Sequence, residues 1–72
     1  MTIFMVYKYI HIIGTSPNNI DDAVKEAIDE ASKTINNIEW AELGRVTFRI
    51  LDNKVTEFQA EVKIGFKIER KN

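Results

Sequence analysis

Apolar and polar residues alternate along several stretches of this chain, the pattern of β-strands with one buried face. In Val55–Ile68 the apolar residues occupy even positions and most odd positions are polar, which predicts a strand with one buried face. Val6–Ile13 is rich in β-branched and aromatic residues and predicts another strand. Its two faces both carry apolar side chains, so we expect one to face a helix and the other a neighbouring subunit.

The alternation in Ile38–Ile50 changes phase in the middle of the predicted strand. Ala41 and Leu43 follow one phase, and the later apolar residues from Val46 onwards follow the other. A β-bulge at Gly44-Arg45 would return both groups to one face, because a bulge adds one residue and glycine tolerates the dihedral angles a bulge can require. The opposite, outward face then carries Trp40, Glu42, Thr47 and Arg49.

Apolar residues between the first two strands recur at three- and four-residue intervals, which is typical of an amphipathic helix. They are Ile20, Ala23, Val24, Ala27, Ile28, Ala31 and Ile35. Asn19 is the predicted N-cap, with Ser16-Pro17 as an alternative start, and Asn36-Asn37 ends the helix. The alanines predict close approach of the helix to a sheet. Asp29 and Lys33 have the spacing of an ion pair on the solvent face.

Turn residues complete a β-α-β-β order. Gly14–Asn19 predicts a turn before the helix, and Leu51–Lys54 predicts a hairpin turn, since Asp and Asn accept positive φ. We expect residues 1–72 to form a single α+β domain, a three-stranded antiparallel sheet folded over one amphipathic helix. The pattern leaves open which later strand lies beside the first. The start of the chain is expected to lead into the first strand rather than to be a signal peptide, and the tail 69–72 to be frayed.

Composition narrows the classes of function. The chain has no Cys and one His, which excludes disulfides, thiolate zinc sites and Cys nucleophiles, and His11 cannot form a metal site alone. A net charge of −1 provides no electrostatic footprint for nucleic acid or an anionic membrane. No stretch is long enough to span a membrane, so a cytoplasmic protein is expected. At 72 residues the core is marginal, and oligomerisation is the remaining means of stabilisation.

Trp40 and Gln59 are the candidate binding residues on the outward face. The hairpin register places Trp40 opposite roughly position 65 and Gln59 opposite roughly position 46, about 20 Å apart along the strand. If both contact one small ligand, different subunits must assemble the site. The structural alternatives are a Trp40 that only packs at an interface and a Gln59 that is ordinary surface. His11 is expected to be buried or at an interface, and Asp52-Asn53 to form a turn rather than to bind a hard cation with Glu57.

Several segments together resemble the dodecins, small flavin-binding proteins. Those segments are Val6–Lys8, Gly14–Pro17, the Ala23–Thr34 helix, Trp40–Glu42, Phe58-Gln59 and Gly65-Phe66. The resemblance covers about residues 5–69 and is specific as a set. It implies a β-α-β-β protomer assembled into a hollow homo-oligomer, a dodecamer. It also implies flavin (riboflavin, lumichrome or FMN) at subunit interfaces, with Trp40 stacked on the isoalloxazine ring and Gln59 hydrogen-bonded to the ring's polar edge.

The function that the resemblance implies is non-catalytic flavin storage and photoprotection, because a stacked indole can quench an excited flavin by electron transfer. The alternative is a structural or cation-binding shell without flavin. No acid-base or nucleophile constellation accompanies Trp40 and Gln59, so an enzyme is not expected. Thr47 and Lys67 stand where many members of the family have Arg, which favours riboflavin or lumichrome over recognition of the FMN phosphate.

Overall fold

The computed structural model describes residues 4–68 and confirms the predicted β-α-β-β order. Strand β1 spans Tyr7–Ser16, helix α1 Ile20–Ser32, strand β2 Ile38–Leu51 and strand β3 Lys54–Lys67. Both neighbours of the central strand are antiparallel to it, in the order β1-β3-β2. The predicted frayed tail, residues 69–72, lies outside the described residues, as do residues 1–3 of the predicted lead-in to the first strand.

Helix α1 begins where its capping residue predicts. The side-chain oxygen of Asn19 accepts a hydrogen bond from the backbone N–H of Asp22 at 2.7 Å, which satisfies a backbone donor that the first turn leaves free. Asp21 and Asp22 lie in the first turn, where the helix dipole favours negative charge. The alternative start at Ser16-Pro17 is wrong, because Ser16 is the last residue of β1.

The helix ends one turn earlier than predicted, at Ser32 rather than at Asn36-Asn37. The last turn tightens, since the N–H of Thr34 bonds to the Ala31 carbonyl, and Asn37 adopts a positive φ of 65° as the chain turns into β2. The helical spacing of Ile35 misled the prediction, because Ile35 packs against the core without being helical. The expected Asp29–Lys33 ion pair is also wrong, since Lys33 pairs with Glu30 at 2.8 Å.

Alanine and glycine let the helix lie very close to the sheet. The buried side chains are those of Ala23, Ala27 and Ala31 on the helix and Ala60, Val62 and Ile64 on β3. The sequence predicted a turn at Gly14, and this prediction is wrong. Gly14 lies within β1, directly beneath the helix. A Cβ at Gly14 would overlap the carbonyl oxygen of Ala23 and lie 2.9 Å from the Cβ of Ala27. Gly14 is therefore a packing glycine, required by the close approach of two backbones.

The long β2–β3 hairpin has the predicted turn and the predicted bulge. Asp52 and Asn53 have φ values of 52° and 63°, as a two-residue type I′ turn requires. Gly44 and Arg45 together oppose Glu61, between the pairs Leu43↔Val62 and Val46↔Ala60. The bulge does not use the conformational freedom of Gly44, because no glycine in the described chain has a positive φ.

The helix covers less of the sheet than predicted. It packs mainly on β1 and β3, while the hairpin extends beyond it and gives the protomer a length of 59 Å. Large apolar side chains on the helix-side face of this hairpin are at least half exposed; they are Leu43, Phe48, Ile50 and Val55. A contiguous apolar surface of this kind marks an interaction site. Helix α1, at 13 residues, is too short and too polar to cross a membrane.

Candidate functional site

Trp40 lies on the outward face of the sheet, as predicted. It pairs with Gly65 of the central strand, the position that the hairpin register anticipated. On the other side of the same strand, Gly65 pairs with Tyr9 of β1. Trp40, Gly65 and Tyr9 therefore form one row across all three strands, with a residue that has no side chain in the middle.

The missing side chain at Gly65 makes room for the indole of Trp40. A Cβ at Gly65 would lie 2.6 Å from Cζ2 and 2.9 Å from Cδ2 of the indole, closer than van der Waals contact. The ring thus lies over the backbone of the central strand, and Trp40 remains 39% exposed. The sheet therefore supports one side of a partly exposed aromatic ring system.

Two tyrosines of β1 border the indole. The Nε1–H of Trp40 donates a hydrogen bond to the Tyr9 hydroxyl at 3.0 Å, and the two rings meet edge to face with centroids 5.8 Å apart. The Tyr7 ring centroid lies 5.0 Å from that of Trp40, at an interplanar angle of 60°. Neither tyrosine was predicted from the sequence as a neighbour of Trp40. Their shared alternation phase in β1 was a usable signal, but the neighbour of β1 was not fixed.

Gln59 also lies on the outward face, within a polar network. Its Oε1 accepts a hydrogen bond from the Thr47 hydroxyl at 2.7 Å, and its Nε2 donates to Glu57 at 3.0 Å. The hydrogen bond from Gln59 and that from Arg49 hold the pKa of the Glu57 carboxyl below its ordinary value. An ionised carboxylate can only accept hydrogen bonds, so Glu57 must face the Nε2 of Gln59. Glu57 and Thr47 together therefore fix the orientation of the Gln59 amide.

A shallow cavity of about 210 Å³ opens beside the Gln59 amide. The residues that line it are Ile13, Arg45, Thr47, Gln59 and Glu61. The predicted partner of Gln59 was position 46, whereas the structure pairs Gln59 with Thr47. The difference arises because β3 has an extra residue, Thr56, near the turn, which shifts the register until the Gly44-Arg45 bulge restores it.

The structure does not bring Trp40 and Gln59 together within one protomer. Their rows cross the central strand at Gly65 and at Gln59 itself, six positions apart, which is about 20 Å of extended strand. His11 lies exposed on the same face between the two rows and pairs with Lys63. It is therefore not buried within the protomer, and the alternative, an interface position, stays a prediction. In residues 4–68 no three His, Asp or Glu side chains come together as metal ligands.

Comparisons with known protein families, sequences and solved structures all find the same protein family. The family model of the dodecins matches residues 6–69. The dodecin of Thermus thermophilus is 31% identical over 64 residues, covering 89% of this chain and 93% of that protein. The solved structure of dodecin from Streptomyces coelicolor superposes with a TM-score of 0.88 at 34% identity, covering 93% of this chain and 96% of that chain.

A third relative has a different name. The calcium dodecin of Mycobacterium tuberculosis superposes with a TM-score of 0.78 at 28% identity, covering 93% of this chain and 96% of that chain. The Thermus, Streptomyces and Mycobacterium relatives share the β-α-β-β fold found here. With a family model that spans nearly the whole described chain and relatives at this level of identity, the chain belongs to the dodecin family.

Proposed function

We propose that this protein binds flavin without catalysing a reaction and serves in flavin storage and photoprotection. The observation that carries the proposal is the indole of Trp40, which lies against Gly65 on the outward face of the sheet while the residue remains 39% exposed. An electron-rich indole suits a planar, electron-poor isoalloxazine ring. Stacking of the two rings requires no other side chain in the plane of the ligand. In this proposal Trp40 is the stacking residue.

Gln59 is the proposed partner of the flavin's polar edge. A glutamine amide has two N–H donors and two acceptor lone pairs. One donor is used by Glu57 and one lone pair by Thr47, which leaves one donor and one acceptor for a ligand. That remaining pair matches the neighbouring N–H and C=O groups of the pyrimidine edge of flavin.

The proposed site requires several protomers. Membership of the dodecin family implies a homo-oligomer, and we propose that it is a hollow dodecamer. The exposed apolar face of the β2–β3 hairpin supplies surface for such an assembly. Because Trp40 and Gln59 are about 20 Å apart in one protomer, the two residues that contact one flavin come from different copies. Dissociation of the assembly should therefore abolish flavin binding.

Replacing Trp40 with leucine tests the stacking role. We expect riboflavin, lumichrome and FMN to lose fluorescence on binding to the unmodified protein. Trp40→Leu should weaken binding about 10- to 100-fold, since aromatic stacking on a planar base contributes roughly 1–3 kcal/mol. Trp40→Phe keeps a smaller aromatic ring, so its affinity for flavin should lie between those of the unmodified protein and Trp40→Leu. Fluorescence titration measures the affinity, and size-exclusion chromatography verifies that each variant keeps its assembly. Unaltered quenching by Trp40→Leu would rule out stacking on Trp40.

Substitutions at Thr47 test whether the protein binds FMN or riboflavin more tightly. Thr47→Arg would place a guanidinium beside Gln59, and a charge-assisted hydrogen bond to phosphate contributes about 1.5–3 kcal/mol. We expect the affinity for FMN, relative to that for riboflavin, to rise about tenfold or more. Thr47→Val is the matched control, because it also removes the hydrogen bond to Gln59 but adds no charge. If both variants change the affinity for FMN relative to that for riboflavin by the same factor, position 47 does not contact the phosphate.

Cation binding is the second candidate function, since the Mycobacterium tuberculosis relative is called a calcium dodecin. In residues 4–68 of one protomer no three acidic or His side chains form a ligand group. Under this alternative, carboxylates of several protomers would hold the ion. Isothermal titration with CaCl₂ discriminates the two candidates: calcium binding by a protein that leaves flavin fluorescence unchanged would favour the shell without flavin.

A further inference from the structure

Tyr9 restrains the indole of Trp40 from the side. The hydrogen bond from Nε1 to the Tyr9 hydroxyl measures 3.0 Å, and the rings are nearly perpendicular at 88°. The side chain of Lys63 places its Nζ 5.0 Å from the centroid of the Tyr9 ring, a cation–π arrangement that favours one orientation of the tyrosine. With Gly65 beneath and Tyr9 at the edge, two contacts of different kinds fix the indole.

The hydrogen bond has an electronic effect besides a geometric one. The only polar donor of the indole is used by Tyr9, so a ligand meets the π face alone. An acceptor at the indole N–H stabilises positive charge on the ring, since a charge-assisted hydrogen bond is roughly twice as strong as a neutral one. The Tyr9 oxygen therefore stabilises an oxidised indole more than a neutral one.

We propose that Tyr9 is a positioning residue that orients Trp40 for stacking and makes its indole a better electron donor to a light-excited flavin. This inference rests on the proposed flavin binding. A bound flavin would supply a light-excited electron acceptor against the indole face. Trp40 would give up one electron to that acceptor and take the same electron back, so no net oxidation would remain. No proton leaves and nothing is consumed. The Tyr9 hydroxyl retains its hydrogen bond to Nε1 throughout and stabilises the short-lived cation.

Tyr9→Phe tests the proposal, because it removes the hydroxyl and keeps the ring. The matched control is Tyr7→Phe, since the Tyr7 hydroxyl makes no hydrogen bond within residues 4–68 although its ring lies against the same indole. We expect Tyr9→Phe to weaken riboflavin binding about 2- to 10-fold, the range for one neutral hydrogen bond. At saturating riboflavin, its excited-state lifetime should be longer than in the unmodified protein, whereas Tyr7→Phe should leave the lifetime unchanged.

One further readout tests the hydrogen bond directly. The ultraviolet resonance Raman band that reports on the indole N–H should shift in Tyr9→Phe and not in Tyr7→Phe. If the unmodified protein quenches riboflavin but Tyr9→Phe matches Tyr7→Phe in affinity and lifetime, the role of Tyr9 is overturned while flavin binding stands. If the unmodified protein leaves riboflavin fluorescence unchanged, the flavin function fails and the role of Tyr9 fails with it.

Discussion

Replacing Gly14 with alanine is expected to lower the free energy of unfolding by about 3 kcal/mol, the upper part of the usual range for overpacking. The added Cβ would overlap the carbonyl oxygen of Ala23 and lie 2.9 Å from the carbonyl carbon of the same residue. Both are backbone atoms, so no side chain can rotate away. The whole helix must move off β1, which would loosen the packing of the alanine stripe along its length.

Chemical unfolding followed by far-ultraviolet circular dichroism at a fixed protomer concentration measures this effect. The concentration must be fixed because association stabilises the folded state by mass action. Gly44→Ala is the matched control, since the same methyl group would lie 3.2 Å from the end of the flexible Glu61 side chain and 3.3 Å from the Glu61 carbonyl oxygen, with no overlap of the kind found at Gly14. We expect that control to change stability by less than about 1 kcal/mol. Equal destabilisation by the two substitutions would contradict the proposed packing role of Gly14.

Local signals predicted most of the fold. The cap at Asn19, the turn at Asp52-Asn53 and the bulge at Gly44-Arg45 each depend on residues close in sequence, and all three are confirmed. Predictions that depended on partners distant in sequence did less well. Gly14 has the composition of a turn residue, and only the position of the helix shows that it serves close packing.

The sequence predicted parts of the candidate site but not its construction. The period-two alternation predicts that Trp40 and Gln59 share the outward face, and the structure confirms that placement. It could not predict the contact of Trp40 with Tyr9, because β1 and β2 are not neighbours, and the indole reaches Tyr9 only across Gly65. Strand order is a global property, and a single strand pattern leaves it undetermined.

The length of the hairpin relative to the helix was likewise not predictable from the apolar pattern. Phe48 and Ile50 share a face with Leu43 only because the Gly44-Arg45 bulge corrects the change of phase, and that combined pattern predicted a single buried face. In the protomer each of these side chains is at least half exposed. Periodicity reports which residues share a face, whereas the coverage of that face depends on where α1 lies. The family relationship resolves the difference, because a homo-oligomer can bury in its assembly what the protomer leaves exposed.

Gly65→Ala is expected to weaken the proposed flavin binding at least about tenfold, because one methyl group would displace the indole proposed as the stacking surface. The new Cβ would lie 2.6 Å from Cζ2 of Trp40, so the indole must lift from the central strand and its hydrogen bond to Tyr9 must break. Lost support and a lost hydrogen bond together exceed the roughly 1.4 kcal/mol that corresponds to a tenfold change in affinity. The tryptophan emission should also shift to longer wavelength as the ring becomes more exposed.

A double-mutant cycle shows whether Gly65 acts through Trp40. Introduced into a Trp40→Leu background, Gly65→Ala meets no indole, so its additional effect on riboflavin affinity should largely disappear. The two effects should therefore be strongly non-additive in the fluorescence titration. If Gly65→Ala reduces affinity equally in both backgrounds, the glycine affects binding by another route, such as the assembly of the protomers. In that case size-exclusion chromatography would show a smaller particle. The role of Gly65 in supporting the indole for ligand stacking would then be contradicted.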